Sequence, residues 1–438
     1  MNSVFFITLG CSKNDVDTSL MGSVLDNKKY YVADNVLEAN IIIINTCGFI
    51  DAAKEESIDT IFNTLKYKEH GNCKKIILAG CLAQRYSNEL LEEIPEVDGI
   101  IGTGNISDLN EIIDSTLLDK KPIKIKNLNS DYLEGYRKKN ILRTEYVKIS
   151  EGCNNNCSYC IIPKLRGKNR SRKIEDIYNE VQYLVDNGTR EVILIAQNTT
   201  DYGIDNYGEY KLRDLISKLS EINKLEWIRV MYLYPDNFTD ELIEEFKTND
   251  KLLKYVDIPL QHVSDNVLTK MNRKTNKSNI YRLIRKLRLE IPNLIIRTTF
   301  IVGFPGETED DFNELIDFIE VNKFDKLGAF TYSHEEDTKA YFLENQISEE
   351  VKKSRLDKLM AVQQYISNDL LSEKIGKTFK ALIEEKEDNN LYIARTYMDA
   401  PEIDGIVYIN TDKFLDIGDF VTVKINESLD FDLIGELI

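Results

Sequence analysis

Three things are scarce in this 438-residue chain, and each scarcity narrows what it can be. No apolar run approaches the roughly 20 residues that cross a bilayer as a helix, so no helical membrane span is expected. The opening MNSVFFITLGCSKND has no basic flank, and its apolar stretch ends within ten residues. It reads as a first β-strand, not a secretory leader, and the protein is expected in the cytosol. Cysteine numbers only seven, too few to staple so long a chain, so its grouping points to metal or redox chemistry. Positive charge is in deficit, with 56 Lys and Arg against 74 Asp and Glu, a net −18. That argues against a broad nucleic-acid surface and suits either a basic partner or simple solubility. There is no tandem repeat and no low-complexity tract.

A chain of this length calls for two or three domains, and the fold class read from its patterning is α/β. Residues 1–125 alternate β-rich runs (4–9, 41–46, 75–80, 98–102) with helical stretches near 14–28, 51–69 and 86–93. This is the mark of an open parallel sheet covered on both faces. A Lys/Asn-rich segment, 119–140, reads as a linker. Within 139–371 six further β-runs (145–150, 191–197, 226–231, 255–259, 294–301, 326–331) alternate with helical patterns, and a long helix over 349–374 closes the region. Six units suit a partial (β/α)6 barrel better than a closed eight. From 373 to 438 the runs KTFKALIEE, NLYIARTYM, GIVYIN and DFVTVKIN, separated by turn residues, predict a small antiparallel β-barrel of the OB kind.

Six cysteines fall into two triads. Cys11, Cys47 and Cys81 each follow a predicted strand of the first domain, 36 and 34 residues apart. The carboxyl ends of successive parallel strands line one edge, so the fold can gather what the sequence separates. Three thiols at such an edge suit an iron–sulfur cluster, although buried cysteines are also common in such sheets. Cys153, Cys157 and Cys160 lie in EGCNNNCSYCIIP as C-x3-C-x2-C, in the loop after the first barrel strand, where barrel enzymes carry their active sites. A zinc site wants four ligands, and the three histidines (His70, His262, His334) supply no clear second pair. Three thiolates with one iron left open fit better. Cys73, in the polar turn HGNCKK, is expected to be an unliganded surface thiol.

The C-x3-C-x2-C run after the first strand of a six-unit barrel resembles the radical S-adenosylmethionine (SAM) enzymes. The upstream cysteines, the barrel and the small β-domain together resemble the methylthiotransferases among them, with a C-terminal TRAM domain. The likeness spans the whole chain through LGCSKNDVD (9–17), NTCGFI (45–50), AGCLAQRY (79–86), SEGCNNNCSYCIIPKLRG (150–167), DIPLQHVSDNVLTKMNRK (257–274) and RTTFIVGFPGET (297–308). It implies two [4Fe–4S] clusters. The one on Cys153, Cys157 and Cys160 leaves an iron for the amino and carboxylate groups of SAM, whose cleavage gives a 5′-deoxyadenosyl radical. The one on Cys11, Cys47 and Cys81 keeps an iron free for sulfur insertion. The same likeness places Tyr159 against the adenine, Gln197 and Arg297 on polar atoms of SAM, and Gly303 of GFPGE where backbone approaches the nucleoside. For Arg297 a structural ion pair is an equal alternative, and His262 reads as a structural pocket residue.

Members of that family modify either an adenosine in tRNA or an aspartate of ribosomal protein S12. Residues 373–438 hold seven Lys and Arg against fifteen Asp and Glu, a face suited to a basic ribosomal protein rather than to phosphates. The segment MDAPEIDG (398–405) resembles the signature of the S12 branch. AQNTTDYG (196–203) resembles its AQDTT-x-YG, with Asn198 in place of the usual Asp. The resemblance therefore implies methylthiolation of the β-carbon of an S12 aspartate, with tRNA adenosine as the alternative target. A cytosolic electron donor is implied, no membrane partner, and a monomer is expected.

Overall fold

The computed structural model describes residues 1–125, 128, 134, 135, 137–388 and 390–438. The middle of the expected linker, at 126, 127, 129–133 and 136, lies outside the described residues. Helix α1 is Ser12–Val24, α2 is Asp51–His70 and α3 is Gly80–Arg85; other helices are given by their residues.

The first region is a six-stranded parallel sheet. Its strands are β1 (Asn2–Thr8), β2 (Tyr30–Val32), β3 (Ile41–Thr46), β4 (Lys75–Ala79), β5 (Gly99–Ile101) and β6 (Ile123–Lys124), in the order β2-β1-β3-β4-β5-β6. Alternate residues of the isoleucine run 41–44 serve opposite cores. Ile41 and Ile43 pack with Met21 of α1 and Leu109, Ile112 and Ile113 of a later helix. Ile42 and Ile44 pack with Ile61 of α2 and Leu90. A strand buried on both faces needs to be apolar throughout, which is why no alternation is visible in it.

The second region opens with β7 (Thr144–Lys148), a short ribbon of β8 (Ser150–Glu151) and β9 (Arg170–Ser171), then β10 (Glu191–Ile195), β11 (Trp227–Val230), β12 (Leu252–Asp257), β13 (Ile295–Val302) and β14 (Lys326–Thr331). The six long strands form a parallel sheet in the order β14-β13-β12-β11-β10-β7, the expected six units. Val192, Leu194, Val256 and Ile296 face the helices. Ile193, Ile195, Tyr255 and Ile295 face the other way, onto Ala381, Ile383, Ala394 and Met398 of the C-terminal region.

That last region is a closed five-stranded barrel of β15 (Thr378–Lys386), β16 (Leu391–Thr396), β17 (Val407–Asn410), β18 (Phe420–Ser428) and β19 (Leu433–Leu437). Its pairs are antiparallel except β17 with β19, which run parallel and close the ring. It plugs one end of the partial barrel. Glu191, fully buried, sits there between Arg229 (Nε to Oε1, 2.9 Å) and Arg395. Trp227 meets Phe420 edge-on, ring centres 4.7 Å apart.

Candidate active site

The three upstream cysteines stand at the carboxyl ends of three adjacent strands, β1, β3 and β4. Cys11 caps the start of α1, Cys47 follows β3 directly, and Cys81 lies in the first turn of α3. Glycines let these loops close. Gly10 has φ +92°, and a Cβ there would lie 2.9 Å from the Cys47 sulfur. A Cβ on Gly48 would lie 2.8 Å from the backbone of Leu82. Burial pushes the Cys47 thiol up to about 11, and the nearby Cys81 and Cys11 add to it. Burial also raises Cys81, against the pull of Arg166. Burial would raise Cys11 too, but Lys13 and Arg166 outweigh it and hold that thiol below its ordinary value, helped by amides at the start of α1.

The second triad lies in the loop after β7 and β8. Cys153 N–H donates to Gly167 O (3.1 Å), and Ser158 is clamped by the backbone of Met271 (2.9 Å) and Lys270 (2.7 Å). Tyr234 lies beside Cys157. Burial is the main cause that lifts Cys153 to about 11 and Cys160 to about 12. Just beyond the triad, Ile161 and Leu165 pack against Cys81 and Phe49, so the two cysteine loops share an apolar contact.

Arg166 ties the loops together. Its guanidinium, 3% exposed, donates to Asp17 (2.8 Å), Glu151 (3.2 Å) and Asn14 (2.6 Å), and it faces the Cys81 thiol. Lys148 pairs with the same Asp17 and Glu151. Burial alone would raise Glu151, but Lys148 and Arg166 hold it well below the usual carboxylate range. The sequence reading missed this cluster. Asp17, Lys148, Glu151 and Arg166 are ordinary surface residue types, and only the fold makes them neighbours.

The expected SAM contacts separate into two levels. Gln197, just past β10, donates to Glu151 (2.6 Å), while its Oε1 is buried without a partner among the described residues. Asn198 accepts from Thr200 (2.7 Å) and leaves its Nδ2 equally unpartnered. Tyr159 meets Phe304 edge-on (6.5 Å) and accepts from Arg273 (3.3 Å), whose guanidinium lies 4.5 Å over the Tyr234 ring. Gly303 has φ +72° and gives its N–H to Glu307 (2.7 Å), and a Cβ there would strike the Lys352 stem at 2.3 Å. Arg297 lies deeper, held by Asp257 (3.0 Å) and Asp404 of the C-terminal region (3.6 Å). To meet a carboxylate of SAM it would have to leave them. His262 is fully buried and accepts from Ser264 N–H (3.0 Å), and burial pushes it down to about 3. Cys73 is not the surface thiol expected: it is 6% exposed, packed behind β4, and donates to Lys75 O at 3.4 Å. The turn that carries it is polar, but its side chain points into the apolar layer.

Among the described residues, no three His, Cys, Asp or Glu side chains converge on a single metal ion. Ligands to separate irons of one cluster stand farther apart than that. Buried thiols at two loop clusters, with unpartnered amide groups of Gln197 and Asn198 beside the second, are a donor set that fits thiolate-held iron and a polar cofactor.

Comparison with known proteins adds three family matches. Residues 147–319 match the Radical SAM superfamily, 3–102 match "Uncharacterized protein family UPF0004", and 375–438 match the TRAM domain. The chain is 50% identical over 435 residues to "Ribosomal protein uS12 methylthiotransferase RimO" of Clostridioides difficile (strain 630), covering 98% of each chain. It is 48% identical over 440 residues to the protein of the same name from Thermoanaerobacter sp. (strain X514), covering all of both. Among solved structures, the radical S-adenosylmethionine methyltransferase TsrM of Kitasatospora setae superposes with a TM-score of 0.59 at 12% identity, covering 75% of each chain. The cobalamin-dependent radical enzyme OxsB superposes at 0.51, also at 12% identity, over 83% of this chain and 56% of that one. At such identity these two speak for the fold alone.

Proposed function

This chain belongs to the ribosomal protein uS12 methylthiotransferases, and on that footing we propose that it installs a methylthio group on the β-carbon of one aspartate of ribosomal protein S12. The observation that carries the reading is the joining of two cysteine triads by one apolar contact and one buried arginine. We assign Cys153, Cys157 and Cys160 to a [4Fe–4S] cluster that takes SAM, and Cys11, Cys47 and Cys81 to a second cluster. When bound, these groups supply the 5′-deoxyadenosyl radical that removes a hydrogen and the sulfur that replaces it.

The protein's own residues position and dry the site. Gln197 and Asn198 present unused amide atoms to SAM, Tyr159 and Gly303 border its nucleoside, and Arg273 braces Tyr159 and Tyr234 from behind. Arg297 is retained as a ligand to SAM only in a state that has released Asp257 and Asp404. Asp17, Glu151, Lys148 and Arg166 fix the two loops relative to each other, because removing one member would leave buried charges unpaired. The acidic C-terminal barrel is assigned to docking of the basic substrate, and nothing observed favours tRNA adenosine as the target.

A cytoplasmic monomer that draws its electrons from a cytosolic donor completes the reading. Among the described residues no helix is long and apolar enough to cross a membrane. Mass spectrometry of S12 from a strain lacking this gene tests the assignment. The mass gain of a methylthio group should vanish, and its persistence would sink the proposal.

A further inference from the structure

The first region crosses to the partial barrel by charged contacts at both edges of the open sheet, β7 and β14. At the β7 edge Asp17 pairs with Lys148, and further in the Lys13 ammonium rests on the Tyr232 ring, 3.0 Å from its centroid. At the β14 edge the crossing is made by Glu335, in the loop that follows the strand and 2% exposed. Its Oε2 accepts from Arg85 Nη1 of α3 at 2.8 Å and from Lys54 Nζ of α2 at 2.9 Å. Ser333, of its own loop, gives a hydroxyl to Oε1 at 2.8 Å. Arg85 forks from there. The same Nη1 donates to the carbonyl of Gly48, next to Cys47, at 3.2 Å, and Nη2 donates to the carbonyl of Glu336 at 2.7 Å. The far end of the loop gives the Ala340 N–H to the carbonyl of Ser158, between Cys157 and Cys160, at 2.8 Å. Within the loop the Thr338 hydroxyl donates to Glu335 O at 2.7 Å and stiffens the turn. One short segment, 335–340, therefore links the loop of Cys47 to the loop of Cys157.

Apolar contact is non-directional, so the meeting of Cys81 and Phe49 with Ile161 and Leu165 tolerates sliding. A forked, charge-assisted hydrogen bond fixes direction as well as distance. A carboxylate buried at a seam also resists parting, because it would be left without its cations. We propose that Glu335, acting through Arg85, is a positioning residue that sets how the two clusters stand relative to each other, a role that rests on the two-cluster assignment above. Hydrogen removal depends on one triad and sulfur delivery on the other, so the substrate carbon must lie within reach of both. Without the pair each triad keeps its own thiols, but the first region is pinned at the β7 edge alone and pivots there.

The test compares reconstituted wild-type enzyme with Glu335→Gln and Arg85→Lys. Both variants should hold the wild-type amount of iron and cleave SAM as the wild-type enzyme does. The methylthiolated S12 formed per 5′-deoxyadenosine released should fall about 10- to 100-fold, as an ångström of misplacement costs. In the fully reduced enzyme the magnetic coupling between the two clusters, read by electron paramagnetic resonance, should change in both variants. The double variant should be no worse than the worse single one, because the two residues act as one unit. An unchanged ratio and coupling in either variant that holds its iron overturns the proposal, since a pair that merely stabilises the fold lowers both yields alike. Loss of iron from both variants overturns it too, because the pair then keeps the clusters rather than spacing them. A wild-type enzyme that takes up iron for one cluster only, or leaves S12 unmodified, would instead overturn the assignment on which the proposal rests.

Discussion

At the scale of single residues, serine in place of cysteine separates the two triads. Serine is a poor ligand to a cluster held by thiolates, so each substitution should empty one site. Cys157→Ser should abolish SAM cleavage. Cys47→Ser should leave SAM cleavage measurable, stop methylthiolation, and bring iron down to about half of that in the wild-type enzyme. If both variants cleave SAM normally, the assignment of SAM to the second triad is wrong. These six residues were open to view in the sequence because their spacing and strand-end placement are rare. Lys13 and Arg166 were not, because a lysine or arginine gains meaning only from what surrounds it. Here the surroundings come from residues as remote as Tyr232 and Cys81. Arg297 had two readings of equal weight, because its partners are remote in sequence: Asp257 comes from the neighbouring strand β12 and Asp404 from the C-terminal region packed beneath it.

Among the elements, the long strands and most helices between them could be read from apolar runs and helical spacing, whereas β2, β6, β9, β19 and the helix Leu109–Leu117 were not. Tyr30–Val32 and Ile123–Lys124 are edge strands of three and two residues, with Tyr31, Val32 and Ile123 exposed, so no buried pattern marks them. Leu433–Leu437 carries Gly435, where a Cβ would press to 3.0 Å on the Lys424 carbonyl, and glycine usually weakens a strand signal. What binds the barrels to each other was equally hidden: Glu191 opens β10, and its partner Arg395 sits in β16. Glu191→Ala leaves two buried guanidinium groups short of a carboxylate and should cost about 3–5 kcal/mol of stability by urea denaturation. Burial would raise this carboxyl, but Arg395 and Arg229 outweigh burial and keep it below its ordinary value. The unfolded chain therefore binds the proton more readily. The stabilisation is present above the ordinary glutamate range and is lost as the pH falls beneath it. Glu191→Gln should accordingly show a shallower loss of stability between pH 5 and pH 3 than the wild-type protein, about one proton's worth. Parallel curves would show that Glu191 is not the group responsible.

For the molecule as a whole, a net charge of −18 and an acidic last domain should draw a basic ribosomal protein over distance. Association with S12 should therefore slow as salt rises from about 0.05 to 0.5 M, by about tenfold or more, because the screening length shrinks toward a few ångströms. Rates that ignore salt would remove the docking role from the acidic barrel. The contact between the cysteine loops also bears on how the protein comes into being. Cys81 is translated 85 residues before Arg166, the charged side chain that faces it, and before Ile161 and Leu165, which cover it. At about 5–20 residues per second, the strand-end thiols of the first region wait roughly 4–17 s on a growing chain before their roof is made. In that interval the three thiols stand open to solvent and oxygen before they meet the rest of the enzyme, so the order of synthesis leaves the first cysteine triad to be covered by the second region.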